Sequence, residues 1–195
     1  MPTRPVYVYT ELIPAEVLRL KGEHLRRWAK LWWRRRTDEL QAEAGSYKEY
    51  RRLLAKATHE RAELRRSGKL IDSMSALVGS HLRHEMSARG WDHPWPKLAP
   101  GMGSVGGRRM GSPTVQWPAT FLVTIDEQLV DQMQRATHKV SEEAVQYLAA
   151  GHQKVPDWMH PVVTTGDVMR AAVNRAIADW YPGPEHGVWD HLPHR

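Results

Sequence analysis

The sequence predicts a mostly helical protein in two parts, an N-terminal antiparallel helical unit and a C-terminal strand–helix–helix module. Three observations favour this fold class. Apolar residues recur at helical spacing through most of the first 90 residues, a Gly- and Pro-rich stretch then interrupts them, and a single alternating segment opens the second part. The stretch over 91–118 holds five glycines and five prolines in 28 residues, which is typical of a linker. We therefore predict a basic helical domain over 1–90, a module over 119–182 and a tail over 183–195.

The N-terminal part begins with a candidate strand and continues as helices. The segment Val6–Thr10 alternates in polarity, and the first helix is predicted from about Pro14 to Arg36. Leu18, Leu25 and Trp32 recur every seven residues within it, which predicts a buried stripe.

Two further helices are predicted before the linker. Ser46 and Glu49 have the spacing of a capping box, so a second helix should begin there and end at Gly68. A third is predicted over about 69–89 and ends at Gly90. A tight turn joins two of the three helices, which predicts an antiparallel helical unit.

The C-terminal part begins with a segment whose side chains alternate strictly. Phe121, Val123 and Ile125 are apolar and would face inwards, which predicts a half-buried strand over 120–125. Asp126 is then a candidate cap of a helix whose pattern continues to Gly151, and Thr164 or Thr165 is a candidate cap of a last helix.

Positive charge is concentrated in the N-terminal part. Residues 1–69 carry 17 Lys and Arg against 9 Asp and Glu, whereas residues 70–195 carry 11 against 13. The segment Arg19–Arg36 has eight basic residues and one acidic residue, an imbalance that favours contact with a polyanion over a solvated face of mixed charge. The candidate contacts on this helix are Arg19, Arg26, Arg27, Lys30 and Arg34.

Several classes of protein and site are excluded or disfavoured. The absence of cysteine excludes disulfides and thiolate chemistry. No apolar run approaches the ~20 residues of a membrane span, and the N-terminus lacks a signal-peptide layout, so we expect a cytoplasmic protein without a membrane partner. His81, His84 and Glu85 match no metalloprotease motif, and no nucleophile elbow or catalytic acid pair stands out. We expect no enzyme, no catalytic residues, no metal and no cofactor.

The strand Thr120–Ile125, the capped start Asp126–Val130 and the later run Thr164–Val173 resemble the ribbon-helix-helix family of DNA-binding proteins. In that family two chains pair one strand each into an antiparallel ribbon, whose outward side chains contact base edges in the major groove. The resemblance implies a homodimer in which Thr120, Leu122 and Thr124 face DNA. It also implies that Thr164 and Thr165, at the start of the second helix, contact the phosphate backbone.

Two features depart from the family pattern. About twenty extra residues, around 138–163, separate the two helices, and the segment 116–181 has five basic residues against eight acidic ones. DNA binding would therefore draw positive charge from Arg108 and Arg109, just before the strand, and from the basic helix.

The sequence thus predicts a sequence-specific DNA-binding protein, such as a transcriptional repressor or a DNA-processing accessory factor of a plasmid or phage. The alternative is a non-enzymatic interaction or structural protein, in which the C-terminal module only dimerises. Its basic helix would then contact RNA, a membrane surface or an acidic protein.

Overall fold

A computed structural model describes residues 2–67, 70–98, 117–159 and 161–178. In these ranges the chain forms five helices and two strands, so the mostly helical class is confirmed. In chain order they are β1 (Thr3–Thr10), α1 (Leu12–Glu43), α2 (Tyr47–Arg66), α3 (Met74–Ala88), β2 (Ala119–Asp126), α4 (Glu127–Ala149) and α5 (Thr165–Ala178).

Three helices begin at the caps that the sequence predicts. Ser46 Oγ accepts the N–H of Glu49 at 3.2 Å, and the Glu49 carboxylate accepts the N–H of Gly45 at 3.1 Å. Asp126 accepts the N–H of Gln128 at the start of α4, and Thr164 caps α5. These bonds satisfy amides that have no partner inside their helices.

The two strands form one antiparallel sheet within the chain. The register pairs Val6 with Val123 and Val8 with Phe121. The strand that pairs with β2 therefore comes from the same chain, whereas the resemblance implies a partner strand from a second chain. The pairing is possible because β1 alternates as β2 does: Val8 is 1% exposed and Val123 is fully buried, so both strands turn an apolar face inwards.

One core joins elements from both sides of the predicted linker. It contains Val8 of β1, Leu18 of α1, Leu82 of α3, Val123 of β2 and Val173 of α5, all 1% exposed or less. The boundaries predicted at 90 and 119 fall between elements, but the elements on either side share their apolar faces. Most of the linker (99–116) and the tail lie outside the described residues.

The last helices of the two parts, α3 and α5, are linked by an ion pair, and α5 is also hydrogen-bonded to α1. The buried carboxylate of Glu85 on α3 accepts from Arg175 on α5 at 3.2 Å. On α1, Lys21 donates to the carbonyls of Ala176 and Ile177 at 2.9 and 2.8 Å. Its ammonium group thus lies at the C-terminal end of α5, where the helix dipole favours positive charge.

The extra residues between the last two helices have structure of their own. Helix α4 continues to Ala149, so about half of these extra residues lengthen α4. Ser141 then accepts the N–H of Val163 at 2.8 Å and donates to its carbonyl at 3.1 Å, which fixes the chain just before α5.

The position of β1 in the core makes a testable prediction about its two faces. Val8→Asp places an unpaired charge in the core and should lower the free energy of unfolding by several kcal/mol, measured by urea denaturation. The matched variant Tyr7→Asp changes a neighbouring side chain that is 64% exposed and should have a much smaller effect. Equal losses in the two variants would contradict the observed orientation of β1.

Candidate nucleic-acid interface

The face of the sheet that points away from the helices is exposed on both strands. Tyr7 and Tyr9 are 64% and 51% exposed, and Leu122 is 46% exposed. We define the outer ribbon face as Pro5, Tyr7, Tyr9, Thr120, Leu122 and Thr124, which are all exposed. The three β2 residues predicted to face outwards therefore do so, and the register places them opposite β1 in the pairs Pro5–Thr124, Tyr7–Leu122 and Tyr9–Thr120.

The hydrogen-bond pattern explains how the ribbon accommodates a proline. The N–H of Thr124 donates to Ser75 Oγ of α3 at 3.0 Å, so it points away from β1. Residues opposite each other in an antiparallel pair point their N–H groups either both inwards or both outwards, so the nitrogen of Pro5 also faces away from its partner strand. Proline at this position removes no bond between the strands.

The ribbon is symmetric in its register. Tyr7 precedes the first residue of α1 by five positions, and Leu122 precedes the first residue of α4 by the same number. Because these two residues are paired, each strand extends equally far on either side of the Tyr7–Leu122 pair before its helix begins.

The start of α3 lies beside the free edge of β2, and that of α5 lies beside β1. Ser75 in the first turn of α3 contacts β2 through the amide of Thr124, and Arg170 of α5 donates to the carbonyl of Tyr9 at 3.5 Å. The first turn of α3 contains no acidic residue, whereas the first turn of α5 contains Asp167. The two ends thus have different electrostatics.

The side chains at the start of α5 bond mainly to one another. Thr164 is 6% exposed; its hydroxyl donates to Asp167 at 2.8 Å and accepts the Asp167 N–H at 3.1 Å. Arg170 donates to Asp167 at 2.6 Å, and its guanidinium lies 4.2 Å from the ring centre of Trp117. The hydroxyl of Thr164 is therefore a helix cap, while Thr165, the other predicted phosphate contact, is half-buried.

The basic residues predicted on α1 divide into two groups. Arg19 donates to Glu16 at 2.6 Å and also bonds Glu23. The bond with Arg19 holds the pKa of Glu16 below its usual value, and the same bond, with the nearby charge of Glu23, raises the pKa of Arg19. The charge of Arg19 is thus balanced by two carboxylates, one of which precedes the basic segment.

The other four predicted residues of this helix form what we call the α1 basic surface: Arg26, Arg27, Lys30 and Arg34. All four are exposed, and no carboxylate of the described residues forms an ion pair with them. At about 1.5 Å of rise per residue, Arg26 lies about 21 Å and Arg34 about 33 Å along α1 from its start at Leu12. This surface is therefore separate from the ribbon.

Two further basic contacts are predicted just before β2, and β1 carries one basic residue that was not predicted. Arg108 and Arg109 lie outside the described residues. Arg4, on β1 itself, is half exposed and 3.8 Å from the carboxylate of Asp131. The ribbon thus has one basic side chain on β1 with only a weak ion pair.

Among the described residues, no three histidine or acidic side chains cluster in a way that could hold a metal ion. Glu85, which shares a helix with His81 and His84, is bound by Arg89 and Arg175. None of the helices in these ranges combines the length and the apolar composition of a membrane span.

Sequence reasoning did not assign Tyr7, Tyr9 and Ser75 to the interface. The alternation in Val6–Thr10 was the signal for the first two, and the Ser73 cap of α3 was the signal for the third. Comparison of the chain with protein-family models, curated proteins and solved structures gives no match.

The capping role of Thr164 can be tested against that of its neighbour. Thr164→Ala removes both hydroxyl bonds and should lower the free energy of unfolding by about 1 kcal/mol. In the matched variant Thr165→Ala the change should stay within about 0.5 kcal/mol. Urea denaturation of both variants makes the comparison, and a larger loss for Thr165→Ala would contradict the capping geometry.

Proposed function

We propose that this protein binds duplex DNA sequence-specifically through its outer ribbon face, as a repressor or a DNA-processing accessory factor does. The observation that carries the proposal is the exposed face of an antiparallel two-stranded ribbon with a helix N-terminus beside each strand. The major groove of B-DNA, about 12 Å wide, admits a two-stranded ribbon, and its base edges offer hydrogen-bond donors, acceptors and methyl groups.

The chemistry of the outer ribbon face suits this role. Thr120 and Thr124 carry hydroxyls that donate and accept, and the hydroxyls of Tyr7 and Tyr9 do the same from longer side chains. Leu122, at the centre, can contact a thymine methyl group. Tyr7 and Tyr9 lie beside Leu122, so the exposed apolar surface is a cluster and not a single side chain, which favours a contact surface.

The helix starts beside the ribbon supply sites for phosphates. Free amides at a helix N-terminus favour an anion, and α3 has no acidic residue in its first turn to oppose one. At α5, Arg170 offsets the charge of Asp167. Phosphate contacts of this kind set the position of the protein on DNA without selecting its sequence.

The order of the elements supports the ribbon-helix-helix plan that we propose. Each half of the ribbon is followed by a first helix, α1 or α4, and later by a capped helix, α3 or α5. The capped helices pack against each other in the shared core. In our proposal one chain supplies both strand–helix–helix units, and α2 is an insertion in the first.

A second candidate function rests on the α1 basic surface. Its four cations have no carboxylate partner among the described residues, which favours contact with phosphates of flanking DNA or of RNA. Its distance along α1 makes this a contact additional to the ribbon.

The proposal predicts that a ribbon hydroxyl contributes to specificity. Thr124→Ala should cost about 1–3 kcal/mol of binding free energy on the preferred duplex and leave random duplex almost unaffected, because nonspecific affinity depends on phosphate contacts. Thr58→Ala, an exposed change on α2, is the control. Gel-shift titrations on both duplexes measure the effect. Equal losses on the two duplexes by a folded Thr124→Ala variant would favour the interaction-protein alternative.

The α1 basic surface makes a separate prediction. Charge reversal by Arg26→Glu, Lys30→Glu and Arg34→Glu should weaken binding to random duplex and lower the slope of log affinity against log salt by up to about 3, without unfolding the protein. The control reverses three exposed charges on α2, Arg51→Glu, Arg52→Glu and Lys56→Glu. If the control weakens binding to random duplex equally, the loss of affinity is due to the change in net charge and not to the α1 basic surface.

A further inference from the structure

We infer that the DNA target is a non-palindromic duplex site bound by a single chain. This inference rests on the proposed function and adds the symmetry of the ligand and the stoichiometry of the complex. It follows from two features of the ribbon: its register is symmetric, and the side chains on its two strands are not.

The symmetric register defines which positions of the two strands correspond. Counting back from the first residue of each following helix, Tyr9 corresponds to Thr124 and Pro5 to Thr120, with Tyr7 and Leu122 at the centre. A ribbon with this register would present the same three side chains to both halves of a palindrome if its strands were identical. Here it presents different ones.

The two halves differ in the chemistry that base edges can recognise. At one end of the ribbon face β2 offers the short hydroxyl of Thr124 opposite Pro5, which has no side-chain donor. At the other end the long phenol of Tyr9 lies opposite the Thr120 hydroxyl. A phenol and a short hydroxyl reach base edges at different depths, so the two ends favour different base pairs.

The starts of the two flanking helices, α3 and α5, also differ from each other in their charged groups. Beside β2, Ser73 caps α3 and the first turn of that helix contains no acidic residue; beside β1, the start of α5 contains the Asp167–Arg170 ion pair. The two phosphate contacts are therefore unlike as well. Since a single chain provides both ends of the ribbon, it contains everything needed to bind one complete site.

Selection from a library of random-sequence duplexes, followed by native mass spectrometry of the complex with the enriched duplex, tests this inference. We expect an enriched motif without inverted-repeat symmetry and one chain per duplex. An inverted repeat bound by two chains would overturn the inference and leave the proposed function intact. No enrichment over the starting library would overturn the proposed function itself.

A symmetrised variant makes the test sharper. The triple substitution Pro5→Thr, Tyr7→Leu and Tyr9→Thr gives both strands the same outward sequence and changes only exposed side chains. With its fold checked by circular dichroism, this variant should enrich a motif closer to an inverted repeat of the half-site that β2 contacts. If the variant enriches the wild-type motif unchanged, β1 does not contribute to specificity and the inference fails.

Discussion

The structure depends on the pairing of the N-terminal strand with a strand more than one hundred residues later in the chain. An isolated two-stranded ribbon is marginally stable in water, so this one requires its inward face to be covered. Val8 and Val123 provide that face, and α1, α3, α4 and α5 supply the apolar residues that pack beneath it. The pairing also gives α1 and α4, the helices that follow the two strands, one shared sheet to pack against.

The same pairing determines what the opposite face presents. Because side chains alternate along a strand, burial of Val8 and Val123 forces Tyr7 and Leu122 outwards and next to each other. The helices that cover the inner face begin beside the strands, so exposed side chains and helix N-termini come together without a dedicated loop. The candidate interface is thus a consequence of how the core is built.

The sequence predicts local features well and the partner of β2 poorly. Ser46, Asp126 and Thr164 were predictable as caps because a cap bonds an amide two or three residues away. The pairing of β1 with β2 depends on packing between distant segments, which alternation alone does not specify. The sequence does not predict the balanced charge of Arg19, because Glu16 lies before the basic segment. It does not predict the burial of Thr164 either, because the hydroxyl that was assigned to a phosphate contact bonds Asp167 in the helix cap.

Pairing within one chain can be measured directly, because the protein has no cysteine of its own. Tyr7 and Leu122 face each other across the ribbon in a pair of the type that brings Cα atoms to about 4.5 Å, a spacing that a disulfide can bridge. The double variant Tyr7→Cys, Leu122→Cys, oxidised at low protein concentration and separated on a non-reducing gel, should give a cross-linked monomer. The single variant Tyr7→Cys is the control. A cross-linked dimer from the double variant, with no cross-linked monomer, would show that strands pair between chains and would contradict this account.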